Sequence, residues 1–239
     1  MTSDLDALLL HAETGHLDGV KAALAESANP GKRLKIRDAD RRTALHRACA
    51  AGHVEVAKFL LSSGASPDAG PDDEEWTPLH SSASRGSAAL VALLTEARAD
   101  ADATTSSGAT ALHFAASKGH DEVLRILLAA GAGVNSKDKN GAVPLLRAAG
   151  AGQVSALKLL LEAGADARCR DRAGENAFHI AINGHHVAMC EVLFERDDAE
   201  KLMSQENEDG KTAAQMLLDL APVETRDKIK SLWKEKKGG

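Results

Sequence analysis

The apolar positions of this chain come in short paired stretches that recur with a long period. In one unit, Ala44 to Ala51 is a run of mostly small residues, and Val54, Val56, Phe59, Leu60 and Leu61 then follow at the spacing of an amphipathic helix. Thr43 suits an N-cap, its hydroxyl accepting from a free N–H of the first turn. Gly52 suits the left-handed residue that ends a helix, and Gly64 closes the second, antiparallel helix in the same way. The string Thr43-Ala44-Leu45-His46 returns as Thr77-Pro78-Leu79-His80 and Thr110-Ala111-Leu112-His113. Weaker copies stand at Val143-Pro144-Leu145-Leu146, Asn176-Ala177-Phe178-His179 and Thr212-Ala213-Ala214-Gln215. The starts are 34, 33, 33, 33 and 36 residues apart, a phase that chance does not hold over five periods. Gly86, Gly119 and Gly152 repeat the place of Gly52, while Leu127-Leu128 with Gly131-Ala132 and Leu160-Leu161 with Gly164-Ala165 repeat the end of the second helix. An earlier unit shows only its second half, at Gly15-His16, Val20 and Leu24. Units of this size cannot bury their own apolar faces and must stack on neighbours.

Composition agrees with stacking. The 239 residues include 45 Ala and 30 Leu but only four Phe, two Trp and no Tyr, which is poor material for one large core. Alanine at helix contacts lets backbones approach closely, so a thin continuous core needs no aromatic bulk. A charged fraction of 27% beside 44% hydrophobic residues excludes a disordered chain. No apolar run approaches the ~18–20 residues of a membrane span. The first ten residues carry two acids where a secretory signal carries basic residues, so no export signal is expected. Cys49, Cys169 and Cys190 lie far apart and in no C-x-x-C spacing, which argues for a reducing compartment. A net charge of −6 argues against a general nucleic-acid binder.

The 33-residue step and the Thr-Pro-Leu-His string resemble the ankyrin repeat over nearly the whole chain. The resemblance implies a mainly α fold, an ankyrin-repeat solenoid of about seven helix-turn-helix units with β-hairpin fingers. Fingers and first helices would together form a concave face. A single domain over residues 1–239 is expected. It would have an N-terminal capping unit at about 1–36, units starting near 37, 71, 104, 137 and 170, and a C-terminal capping unit at about 205–239. Three departures stand out. Gly108, Gly141, Gly174 and Gly210 precede the repeat starts by two residues, where two units carry Arg41 and Glu75. His185 replaces the helix-ending glycine of the sixth unit, with Gly184 one place early, which predicts an altered turn. Additional residues around 197–205 predict a longer outer-helix end or a loop.

Ten histidines invite a catalytic or metal reading. His46, His80, His113 and His179 share one repeat position, and stacked units stand roughly 10 Å apart, beyond the ~2 Å reach of a shared metal ion. Each imidazole is expected to bridge backbone groups of adjacent units, and His120, His185 and His186 to be solvated at turns. Cys49 and Cys190 fall on apolar helix positions as small core residues. Cys169, beside Arg170 in a finger, is either buried or an exposed, reactive thiol. No nucleophile elbow, Walker loop, dinucleotide fingerprint or zincin motif is present. No reaction and no cofactor is expected.

Several strings go beyond the general repeat. Arg42-Thr43-Ala44-Leu45-His46 with Ala48-Cys49, Asp72-Asp73 with Trp76-Thr77-Pro78-Leu79-His80, and Phe114-Ala115-Ala116-Ser117-Lys118 resemble the gankyrin family of ankyrin-repeat assembly chaperones of the proteasome regulatory particle. The resemblance covers about residues 5–220 and implies a chaperone that clasps the C-terminal domain of a proteasomal ATPase subunit through complementary charge. Arg42 and Lys118 would pair with carboxylates of that domain, and Asp40 and Asp73 would meet basic groups. Trp76 is one of the more specific marks and is placed with the site. Arg47, Arg85, Phe114 and Arg147 would face the groove from the first helices, by periodicity. Animal members of the family carry an L-x-C-x-E string in the sixth unit that suits pocket proteins; here Ile180-Ala181-Ile182-Asn183-Gly184 lacks its Cys and Glu, so no such binding is expected. The resemblance implies a cytoplasmic or nuclear protein, monomeric when free, with no nucleic-acid or membrane partner. The alternative is a generic signalling or cytoskeletal adaptor. Lys228, Lys230, Lys234, Lys236 and Lys237 form either a solvated capping tail or an import or nucleic-acid patch, with Asp227 and Glu235 interrupting the run.

Overall fold

The computed structural model describes residues 6–70, 72–219 and 223–238, with side chains through Lys234. The side chains of Glu235, Lys236 and Lys237, part of the tail considered above, lie outside the described residues. Helices come in pairs: α1 (Ala7–Thr14) with α2 (Leu17–Ala25), a single turn α3 (Pro30–Arg33), α4 (Ala44–Ala51) with α5 (Val54–Ser62), and α6 (Pro78–Arg85) with α7 (Ala88–Glu96). Next come α8 (Ala111–Lys118) with α9 (Asp121–Ala129), α10 (Pro144–Gly150) with α11 (Val154–Glu162), and α12 (Ala177–Asn183) with α13 (Val187–Phe194). After the short α14 (Ala199–Met203) the chain ends in α15 (Ala213–Asp219) and α16 (Val223–Gly238). The residues inserted near 197–205 thus form a short helix of their own.

The chain divides into two compact units, Met1–Ala111 with Arg125–Ala132, and Leu112–Leu124 with Gly133–Gly239. In the first, α4 packs between α1 and α6, and α5 between α2 and α7. In the second, α12 packs between α10 and α15, while α13 lies against α11, α14 and α16. The core between these layers is made mainly of alanine and leucine, such as Ala48, Leu60, Leu79 and Leu90 in the first unit and Leu145, Ala148, Leu157 and Leu160 in the second. Among the described residues Phe178 is the bulkiest fully buried side chain, against Phe194 at a ring separation of 4.9 Å.

The fingers are tighter than the β-hairpins the repeat implied. Each finger closes with two backbone bonds, such as Arg41 N–H to Asp38 and Asp38 N–H to Arg42, or Gly141 N–H to Asp138 and Asp138 N–H to Ala142. Two bonds are too few for a ladder, and among the described residues the only strand-type pairing is an isolated bridge between Glu206 and Thr212. Successive fingers join through single bonds, from Asp73 N–H to the Asp40 carbonyl, and from Arg172 N–H to that of Asn140.

His185 overturns the expected altered turn. Its φ is 58°, the left-handed geometry that Gly52 takes at 89°. The reason is the helix end itself. His186 N–H reaches back to the Ala181 carbonyl as His53 N–H reaches back to Ala48, and that bond requires a left-handed residue before it whatever the side chain. Arg41, Glu75 and Arg98 also have positive φ, with Arg98 in the place held by Gly64 in the preceding pair.

Candidate functional site

In every finger but that of Thr105, the conformation comes from a carboxylate or amide at the first turn position. Oδ1 of Asp72 accepts from Glu74 N–H at 3.0 Å and Trp76 N–H at 2.8 Å. Oδ1 of Asp138 accepts from Asn140 and Ala142 at 2.8 and 3.0 Å, and Oδ1 of Asp171 from Ala173 and Glu175 at 2.9 Å each. Asn207 repeats the arrangement in the last finger. This is the Asx turn, so these side-chain oxygens are used to close their own fingers, and the Asp38 carboxylate is almost fully buried. Asp38 and Asp138 are each held in addition by an arginine nine residues on. Arg47 Nε donates to Asp38 Oδ2 at 2.8 Å and Arg147 Nε to Asp138 Oδ2 at 2.9 Å. Burial pushes the Asp38 carboxyl up, but the Arg42 N–H and the Arg47 guanidinium more than offset it and leave it below the usual carboxylate range.

The shared histidines build the helix starts. Thr77 N–H donates to His80 Nδ1 at 3.1 Å, which places the imidazole proton on Nε2; Nε2 then donates to the Ala103 carbonyl at 3.0 Å. His113 reaches the Ala142 carbonyl at 3.1 Å and His179 that of Lys211 at 3.2 Å. The expected bridging role therefore stands for these three. At His46 the Thr43 side is kept, while Nε2 faces the Trp76 carbonyl outside hydrogen-bonding geometry. Burial pushes His46 down to about 4, against the opposing Asp72 carboxylate.

The residues expected to meet a partner separate into distinct settings. In the first unit Asp40, Arg42 and Asp73 line one hollow together with Asp72 and Glu74. Arg42 is paired with Asp40 and lies 3.4 Å from Asp38, yet stays 36% exposed. Asp73 is 57% exposed, with Arg41 at 3.9 Å. Trp76 is half-buried, its ring 6.2 Å from His80. Arg47 is only 11% exposed and engages Asp38 and Glu13, so its charge is used within the fold. Arg85 donates to the Ala50 carbonyl at 2.9 Å. In the second unit Phe114 is half-buried, Lys118 is exposed, and Arg147, paired with Asp138, lines a cavity between α10 and α12.

Two features escaped the sequence reading. The first is a clasp across helix ends. Arg85 reaches Ala50 in the last turn of α4, His53 Nε2 reaches the Glu13 carbonyl at 2.9 Å in α1, and His186 Nε2 reaches that of Gly150 at 3.2 Å in α10. These carbonyls are the ones a helix leaves without partners. His186, expected to be solvated, is thus engaged, whereas His185 is exposed. The regular glycine at each helix end was the available signal, because a Cβ at Gly15 or Gly152 would fall within 3 Å of the His53 or His186 ring. The second feature is the cavity itself, whose Ile180 and Arg172 carried no motif. Cys169 is buried, and burial pushes its thiol up to about 12, which removes the reactive alternative. Among the described residues no group of three or more His, Cys, Asp or Glu is placed to hold a metal ion. No helix there is long and apolar enough to cross a membrane.

Comparison with known proteins follows the same lines. A model of three successive ankyrin repeats matches residues 2–71 and 66–138, and a second ankyrin-repeat model matches 145–194. The chain belongs to the ankyrin-repeat family. The ankyrin-repeat domain of human ASB11 is similar over 94% of this chain and 96% of that one, with a TM-score of 0.80 and 29% identity. In sequence, 26S proteasome non-ATPase regulatory subunit 10, gankyrin, of Dictyostelium discoideum is 38% identical over 95 residues, 40% of each chain. The rat protein of the same name is 47% identical over 68 residues, 28% of this chain and 27% of its own. The chain thus spans well under half the length of these curated relatives. The ankyrin-repeat fold makes this chain a scaffold for binding other proteins.

Proposed function

We propose that the protein is a non-catalytic assembly chaperone of the proteasome regulatory particle that binds the C-terminal domain of an ATPase subunit along its fingers and first helices. The single observation that carries this reading is the 38% identity with subunit 10 over 95 residues. The charge pattern supports it: Asp40, Arg42 and Asp73 are grouped and accessible in one unit, and Lys118 is exposed in the other. A stable complex of this kind buries on the order of 1,200–2,000 Å², and reversing charges in a desolvated interface costs several kcal/mol. Arg42→Glu with Lys118→Glu is therefore expected to abolish binding of the isolated ATPase domain in titration calorimetry while leaving the melting temperature of the chain within a few degrees. Unchanged affinity would remove Arg42 and Lys118 from the site. The second reading is a generic ankyrin-repeat adaptor, supported by the repeat fold itself, which the ASB11 domain shares over 94% of the chain. Mass spectrometry of an affinity pull-down separates the two readings: absence of regulatory-particle ATPases sinks the first.

A further inference from the structure

The first helix pair departs from the repeat at two positions that answer each other. Where α4 has Ala48, and later first helices keep a small residue such as Ala115 or Ala181, α1 has His11. Where α5 has Val56, and later second helices have Leu90, Val123 or Met189, α2 has Gly19. A Cβ on Gly19 would fall 2.6 Å from the His11 ring, so the missing side chain makes room for the imidazole. The ring of His11 meets that of His16. His53 and His186, in the same repeat position as His16, reach back to the preceding pair. His16 turns instead to its own pair, its Nδ1 3.3 Å from His11 Nδ1 and the two rings at 76°. The backbone fixes the arrangement, because Gly15 is left-handed with φ 75° and His16 N–H donates to the His11 carbonyl at 2.9 Å. Neighbouring polar groups are engaged elsewhere: Glu13 with Arg47, Asp18 with Lys21 at 3.4 Å, and Thr14 with the Leu10 carbonyl at 2.9 Å.

We propose that His11 and His16 are a chelating pair for a divalent ion of the zinc type, each ligating through Nδ1. Two neutral imidazoles protonated at Nε2 both present an Nδ1 lone pair. On a tetrahedral ion with bonds of about 2.0–2.1 Å, two ligand nitrogens stand about 3.3–3.4 Å apart, which is the separation already held here. Imidazole selects zinc-type ions over magnesium and calcium, which take oxygen ligands. Two protein nitrogens leave two tetrahedral positions for water, so the ion is exchangeable and the fold does not depend on it. Neither histidine belongs to the residues given to the ATPase domain, and the inference is independent of that reading.

The probe is zinc chloride, titrated calorimetrically into the untagged full chain at pH 7.5, with imidazole 15N–1H correlation spectra recorded alongside. One ion per chain is expected, with two of the ten imidazoles responding and both coordinated at Nδ1. The ligands must be neutral, so affinity should fall at least tenfold between pH 7.5 and pH 5.5. His16→Gln is expected to lower affinity tenfold or more, and its side chain is exposed, so the fold survives. Gly19→Ala, which keeps both imidazoles but displaces the His11 ring, should lower it severalfold. His185→Gln, at an exposed histidine of another pair, should leave it unchanged. The proposal is overturned by no binding up to about 1 mM zinc, by coordination at Nε2, by unchanged affinity in His16→Gln, or by equal losses for His185→Gln and His16→Gln.

Discussion

The start of α4 and the start of α10 occupy the same place in the repeat and are built differently. At α4, Thr43 and His46 satisfy each other, and the imidazole is turned toward the next unit, buried and neutral. At α10, Val143 offers no side-chain cap and Leu146 no bridge. Only a proline at the first helical position remains as a start signal there. The repeat thus gives up its polar clamp at one unit, and that is the unit whose wall lines the cavity. The lesson is that apolar burial can stand in for the polar clamp, since Val143 and Leu146 are buried where Thr43 and His46 are bonded.

The largest expected effect tests the clamp. His46→Ala should cost about 3 kcal/mol, since it opens a void and leaves the Thr43 N–H without its acceptor. A loss in urea unfolding no greater than for an exposed alanine substitution would show that the clamp is dispensable at α4 as it is at α10. Acid should act on the same contrast. The unfolded chain takes up a proton at His46 near 6.5, whereas the folded chain resists until about 4. The native value is depressed, so this stability is complete above 6.5 and is lost as pH falls through the interval. Between pH 7.5 and pH 5 the loss from His46 should be about 2 kcal/mol, with burial at His113 and His179 acting in the same direction. Denaturation midpoints identical at the two pH values would refute it, and Leu146 adds nothing to the slope.

Rebuilding the clamp sharpens the comparison. Val143→Thr with Leu146→His should stabilise the chain by about 1 kcal/mol through the restored cap. A lower urea midpoint would show that the packing of the buried Leu146 side chain outweighs the clamp. The smallest effect concerns backbone strain. Arg98 holds a φ of 64° where equivalent positions are glycine, so Arg98→Gly should raise stability by about 0.5–1 kcal/mol, the relief of the left-handed penalty less the entropy of glycine. A lower thermal midpoint would mean that the arginine side chain contributes more than its backbone costs.

The units, their helix ends and their bridging histidines were legible because each depends on residues within a single period, as with Thr77 and His80 three apart. The placement of charge was not. Asp38 and Asp40 look alike in the chain, yet one closes a turn and meets Arg47 while the other is exposed, a difference that depends on which way a five-residue finger folds. For Cys169 beside Arg170 the sequence left burial and exposure open, and the packing around its finger buries it.

By itself the sequence determined the repeat, the helix pairing and the ankyrin-repeat family, since periodic caps, glycines and leucine pairs are local instructions. The tertiary structure alone decided which acids and bases remain available. It also decided that His53, Arg85 and His186 would close the helix ends of neighbouring units, and that Leu146 and Ile180, some thirty residues apart, would share a wall. The physical reason is that burial and pairing are properties of neighbours in space, and in a stacked chain those neighbours lie one full repeat away.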